Sequence, residues 1–149
     1  MRGLDRVIAT LFIQTHMIFV ELDARGIFAN TLHLFPGCDQ LAVLQCRASE
    51  VWAREFSSTM GDGLRYSVEN AFGTYPFANG LTSIGPTRAI SAAYQDHRAT
   101  LMIARNEGLT KTYNRFHDPA EHAPDIQLLR DLHHRVRFNV VGSTLTPPR

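Results

Sequence analysis

At 149 residues with 44% apolar side chains, the chain is long enough for one domain with a real core and too apolar for general disorder. A formal charge of +1 excludes a whole-molecule field that would draw it onto DNA or a membrane, so any nucleic-acid contact must come from a local cluster of Arg and Lys. The only cysteines, Cys38 and Cys46, follow no secretory pattern and predict reduced thiols in a cytoplasmic protein, not a disulfide framework.

The apolar run Val7 to Val20 is interrupted by Gln14, Thr15 and His16 and is too short and too polar to span a bilayer. Arg2 and Arg6 before it resemble a signal-peptide start, but no small-residue cleavage site follows. Val7–Ile13 and Met17–Leu22, rich in β-branched and aromatic residues, predict two strands. A turn at Asp23–Gly26 leads to a third strand, Ile27–Phe35, expected to pair with the second; Pro36-Gly37 ends it. Asp39 stands where it would cap a helix over Gln40–Ser58, with Leu41, Leu44, Ala48, Val51, Trp52 and Phe56 on its apolar face and Trp52 as a core anchor. Arg47, Glu50 and Arg54 fall on its polar face. Gly61-Asp62-Gly63 breaks the chain before a short strand, Leu64–Val68, in a context unsuited to a phosphate cradle. Ala71–Gly85 reads as a loop whose Tyr75-Pro76-Phe77 folds back on the helix.

A second helix is predicted from Pro86 to Asn106, with Ile90, Ala93, Tyr94, His97, Leu101 and Ala104 on one stripe and His97 as a hydrogen-bonded boundary residue. Pro124 opens a third, carrying Ile126, Leu129, Leu132 and Val136. After Arg137 the pattern dissolves into an irregular tail. Strands and helices are segregated, so the expected class is α+β, one domain over 1–137.

The most informative stretch lies between the second and third helices, from Asn106 to Asp118, and reads as a loop. Lys111 and Arg115 supply cations, Tyr113, Phe116 and His117 supply rings, and Asn114 supplies an amide. Such a set can meet phosphates, stack on bases and read base edges. The plainer alternative is a surface loop that Tyr113 and Phe116 pin to the core.

Five blocks carry a family resemblance: Ala42–Gln45 through Glu50–Arg54, Leu64–Tyr66, Phe72–Phe77, Asn106–Pro119 and Leu128–His133. In order and spacing, over Leu41 to His133, they resemble the C-terminal region of large restriction–modification DNA adenine methyltransferases and their phage-defence relatives. Such enzymes use S-adenosylmethionine to methylate an extruded adenine, and some also cut DNA. That chemistry belongs to an upstream domain with a Gly-rich cofactor strand and an Asn-Pro-Pro-aromatic motif. This chain has neither motif; Thr146-Pro147-Pro148-Arg149 lacks the Asn and the aromatic. The family's closing Tyr-Gly-Trp is also missing after His133, as a frameshifted or rearranged C-terminus would explain.

The resemblance therefore implies the DNA-recognition end of such an enzyme, non-catalytic by itself, with no cofactor of its own and double-stranded DNA as its partner. A separate methyltransferase domain or subunit would supply the chemistry. Residue type and position make Arg65, Lys111 and Arg115 candidates for phosphate contacts. Tyr113, Asn114 and His117 are candidates for stacking or base-edge contact, with Arg47 and Arg54 as weaker ones. The alternative is a scaffold that packs on a methyltransferase domain through an apolar patch at Tyr75–Phe77. His117, Asp118, Glu121, His122, His133 and His134 match no closed zinc spacing, and neither Cys46 nor Ser57-Ser58-Thr59 has a nucleophile's setting.

Overall fold

Val7, Ile8 and Ala9 form an apolar run without polar alternation, the signature of a strand covered on both sides. In the computed structural model, which describes residues 5–36, 40–77 and 85–144 (without side chains at 85–87 and 138–144), they are the middle of a sheet. Strand β1 (Arg6–Leu11) lies between β3 (Val20–Asp23) and β4 (Leu32–Pro36), antiparallel to both. Ile8 faces Glu21 on one side and Phe35 on the other. The expected pairing of the third strand with the second is thus corrected: both are edges of β1, which alone carries enough apolar residues to be central.

The strand predicted over Met17–Leu22 begins only at Val20, because side chains satisfy the backbone before it. Gln45 accepts from Phe19 N at 2.9 Å and donates to Met17 O at 3.1 Å. Gln14 accepts from Ile18 N at 3.1 Å, while Thr10 donates to Ile18 O at 2.8 Å. All three polar side chains involved, Thr10, Gln14 and Gln45, lie in the interior.

Phe12 carries the chain from one sheet to the next. Its N–H donates to Thr31 O at 2.8 Å, and its carbonyl accepts from Tyr66 N at 3.1 Å. The second sheet is β2 (Ile13–Gln14), β6 (Gly63–Arg65) and β5 (Ser58–Met60), in that order. Met60 pairs with Gly63, which leaves Gly61-Asp62 as a two-residue hairpin loop with Gly61 at φ +59°. The strand predicted over Leu64–Val68 ends at Arg65, and a π-helical turn, Val68–Phe72, follows.

The helix predicted over Gln40–Ser58 is two helices, α1 (Leu41–Gln45) and α2 (Arg47–Phe56), broken at Cys46 in extended backbone. Cys46 is buried and its Sγ accepts from Ser49 N, capping α2. The break shifts the helical phase, so α2 buries Ser49 and Ala53 and exposes Ala48, Val51 and Phe56. Trp52 is half-buried, its ring 4.4 Å from Phe56 and its indole N–H donating to Thr74 Oγ1, so it is a boundary residue and not a core anchor. The predicted cap at Asp39, together with Gly37 and Cys38, lies outside the described residues, as does 78–84 of the predicted loop. The core here joins Ile8, Phe19, Phe35, Leu41, Leu44, Leu64 and Tyr66.

The chain divides into two compact units, Met1–Ile84 and Gly85–Arg149. The second contains α3 (Gly85–Arg105), α4 (Leu109–His117) and α5 (Pro124–Thr144), with α5 packed on both α3 and α4. Asn106 at φ +49° ends α3. Its N–H bonds Ile103 O and the Glu107 N–H bonds Met102 O, a complete Schellman closure. The buried stripe of α3 is Ser91, Tyr94, Arg98 and Leu101: the predicted Tyr94 and Leu101 are buried, whereas the predicted Ala93 and Ala104 are exposed and Ser91 and Arg98 take part instead. On α5 the predicted Ile126, Leu129 and Val136 are buried. That helix runs past the expected end at Arg137, since no Gly or Pro interrupts it between Pro124 and Gly142. Residues 145–149 are not described. The protein has both sheets and helices, with the strands preceding the long helices: α+β.

Candidate functional site

The segment predicted as a loop from Asn106 to Asp118 is mostly helix α4. Leu109, Thr112, Tyr113 and Phe116 recur at three- and four-residue spacing, and a Gly precedes the run at an N-cap position. That periodicity was the available signal. It assigns each candidate residue to one face or the other.

Tyr113 faces inward and is 2% exposed, which corrects its candidacy for stacking on a base. Its hydroxyl hydrogen-bonds to that of Tyr94 and accepts from Arg98 Nη1 at 3.2 Å. Arg98 is itself buried and also donates to Gln95 Oε1. Burial pushes the Tyr94 hydroxyl well above its ordinary pKa, so Tyr94 stays a neutral phenol beside the Arg98 cation. His133 stacks on Tyr94 at 5.5 Å, and Phe116 meets the His133 ring edge-on at 5.2 Å.

Arg115 points along the flank of α4 and clamps both ends of the segment. Its Nε and Nη2 grip Glu107 before the helix at 2.9–3.1 Å, and its Nη1 reaches Glu121 after it at 2.8 Å. The two carboxylates raise the Arg115 pKa, Glu107 more than Glu121. Glu121 in turn is lowered, first by the Ala123 N–H and then by Arg115. A guanidinium so paired has its forks committed, so Arg115 is corrected from phosphate contact to structural clamp. Arg130 of α5 completes the mounting: it donates to the carbonyls of Arg115, Phe116, Asp118 and Glu121 at 2.7–3.1 Å, satisfying orphan groups at the α4 C-terminus.

Lys111, Asn114 and His117 remain on the exposed face, spaced by three and so aligned along one side of the helix. These three candidates share one face of α4; Arg65 belongs to the first unit. The overall charge of +1 conceals an asymmetry. From Gly85 onward there are nine Lys and Arg against six Asp and Glu; before it, six against eight. His97, predicted as a boundary residue, donates to Asp125 O at 2.8 Å.

Arg65 stands exposed at the end of β6, its guanidinium carbon 4.9 Å from the centre of the Phe12 ring. It overlooks a cavity of about 330 Å³ lined by Phe12, His33, Phe56, Tyr66, Glu69 and Asn70, among others. Sequence reasoning missed this cavity, since its walls come from β4, α2, the β1–β2 junction and the π-helical turn. Arg47 and Arg54 both bind Glu50 on the solvent side of α2. Among the described residues no group of three or more His, Cys, Asp or Glu is placed to hold a metal ion, and no helix is long and apolar enough to cross a membrane. Compared with protein-family models, curated proteins and solved structures, the chain matches none.

Proposed function

We propose that this chain is a DNA-holding part of an adenine-methyltransferase system and leaves the chemistry to a separate domain or subunit. The observation that carries the reading is the row Lys111, Asn114 and His117 on a rigidly mounted nine-residue helix, in the more basic of the two units. An α-helix is about 10–12 Å across with its side chains, which fits the width of a B-DNA major groove. Lys111 would meet a phosphate, and the Asn114 amide can pair with the N6/N7 edge of adenine. The five sequence blocks support the same class of partner. S-adenosylmethionine belongs, on this reading, to the partner domain that carries the cofactor strand.

Duplex titrations by fluorescence anisotropy across a salt series test this. Lys111→Ala should flatten the slope of log affinity against log salt by about one unit, while Asn114→Ala should reduce preference among sequences with less effect on the slope. Absence of duplex affinity at about 50 mM salt would reject the reading.

A second reading has its own observation. Val51 is 52% and Phe56 42% exposed on α2, beside half-buried Trp52 and Tyr75. That apolar face suits a scaffold packed on a methyltransferase domain, and it becomes the preferred reading if DNA does not bind.

A further inference from the structure

The cavity beneath Arg65 has a composition that DNA-backbone holding does not use. Four rings enter it from four separate elements: Phe12 from the β1–β2 junction, His33 from β4, Phe56 from the end of α2 and Tyr66 from just beyond β6. Phe12 and His33 lie 5.1 Å apart, and His33 and Tyr66 6.3 Å apart. Around these rings stand Ser58, Ser67, Glu69 and Asn70. The Ser67 hydroxyl is already committed to the Asn70 N–H at 3.1 Å, and the Ser67 N–H donates to Ser57 Oγ at 3.1 Å, so this wall is set before any ligand arrives. Glu69 and Asn70 side chains have no hydrogen-bond partner among the described residues.

We propose that this cavity binds a single nucleotide, with its base against Phe12, His33 and Phe56 and its phosphate on Arg65, the buried Tyr66 serving only as part of the wall. Each alternative class fails on one wall. A purely aliphatic ligand would gain nothing from the Glu69 carboxylate and the Asn70 amide, which are exposed and would stay with water. A simple anion would use Arg65, yet leave the rings idle and face Glu69. A planar heterocycle bearing amino and carbonyl groups uses both walls: π-faces stack on the rings, an exocyclic amine donates to Glu69, and Asn70 supplies both a donor and an acceptor. Arg65, held over the Phe12 face, keeps its forked edge available for phosphate oxygens. A volume of about 330 Å³ lies at the small end of ligand sites, the scale of one nucleotide and not of a longer strand. The nucleotide could arrive free or as an unstacked residue of a strand, and the chemistry is the same.

The inference is separable from the DNA-holding reading, since every lining residue lies in the first unit. Calorimetric titration of the whole chain would use the four nucleoside monophosphates, ribose 5-phosphate, a five-nucleotide single strand and a duplex. At least one monophosphate should bind about tenfold more tightly than ribose 5-phosphate. Phe56→Ala and Arg65→Ala should each weaken that binding about tenfold, while Arg65→Lys should recover part of the loss and Lys111→Ala should change nothing. Phe56 and Arg65 are both exposed enough for these substitutions to leave the fold intact, which circular dichroism would verify. A strand that binds tighter than the free monophosphate would identify the source as nucleic acid; equal affinity would identify a free nucleotide. Ribose 5-phosphate binding as well as the nucleotides, wild-type affinity in Phe56→Ala, or no binding of any monophosphate or strand at millimolar concentration would each overturn the proposal. Monophosphate binding without duplex affinity would uphold it and reject the DNA-holding reading.

Discussion

Replacing Tyr113 separates a residue that builds the helical unit from one that touches DNA. The ring is buried against Tyr94 and tilted on Phe116 at 5.4 Å, so Tyr113→Ala removes a large interior side chain and should cost about 3–5 kcal/mol. A unit the length of Gly85–Arg149 has a net stability of about 3–10 kcal/mol, so this single change consumes a third or more of it. Tyr113→Phe keeps the packing and removes only the hydroxyl that accepts from Arg98. It leaves a buried guanidinium one partner short, at about 1–3 kcal/mol. At about 4–8 °C per kcal/mol for a domain of this size, the Phe variant should melt measurably lower and the Ala variant should lose cooperative helical melting near ambient temperature. Thermal melts followed at the helical circular-dichroism band, with duplex anisotropy on the folded Phe variant, make the comparison. DNA affinity of Tyr113→Phe should match the parent. Parental stability in Tyr113→Ala, together with lost DNA affinity, would refute the argument and return the ring to the surface.

The other expectations concern the scaffold. Gln45→Met, close in volume, orphans the Phe19 N–H and the Met17 carbonyl and should lower stability by about 1–3 kcal/mol for each, read by urea denaturation. Burial pushes the Glu50 carboxyl up, but the hydrogen bonds from Arg47 and Arg54 outweigh it and hold the pKa below its ordinary 4.5. Its contribution is therefore present above that value and disappears as pH falls through the lower folded one. Glu50→Gln should be about 0.5–1 kcal/mol less stable than the parent at neutral pH, and the gap should close on acidification. Asn106→Ala keeps a β-carbon in left-handed backbone without the short polar side chain that lets Asn tolerate it and should cost about 1–2 kcal/mol, whereas Asn106→Gly should sit within a few tenths of the parent; equal melting of Ala and Gly variants would count against the Schellman closure.

The periodic segments were the legible ones. Ile126, Leu129 and Val136 announce α5 and end up buried, Pro124 marks its start, and Val7–Ile13 announces the strand found at Arg6–Leu11. Where the reading failed, a long-range partner had taken over a local rule. Gln45, twenty-six residues away, supplies the hydrogen bond that keeps Phe19 out of a ladder. Cys46 breaks what pattern alone continues as one helix, and the resulting phase change exposes the apolar stripe of α2. Asn106–Asp118 reads as a loop from its charges and Gly108, yet it is helical because Leu109, Tyr113 and Phe116 share one face and the helix packs on α5.

By itself, then, the sequence determined the α+β class, the buried face of α5 and the residue types available for binding. Tertiary structure alone decided how those types are spent. Charge and ring content are properties of a side chain, but availability depends on neighbours. Arg115 is committed because Glu107 and Glu121 flank it, Tyr113 is buried because Tyr94 and Arg98 receive its hydroxyl, and Lys111 and Asn114 face solvent because the same helix turns them the other way. The Arg65 cavity is the extreme case. Its walls lie between residues 12 and 70 in sequence, and only folding brings them around one space.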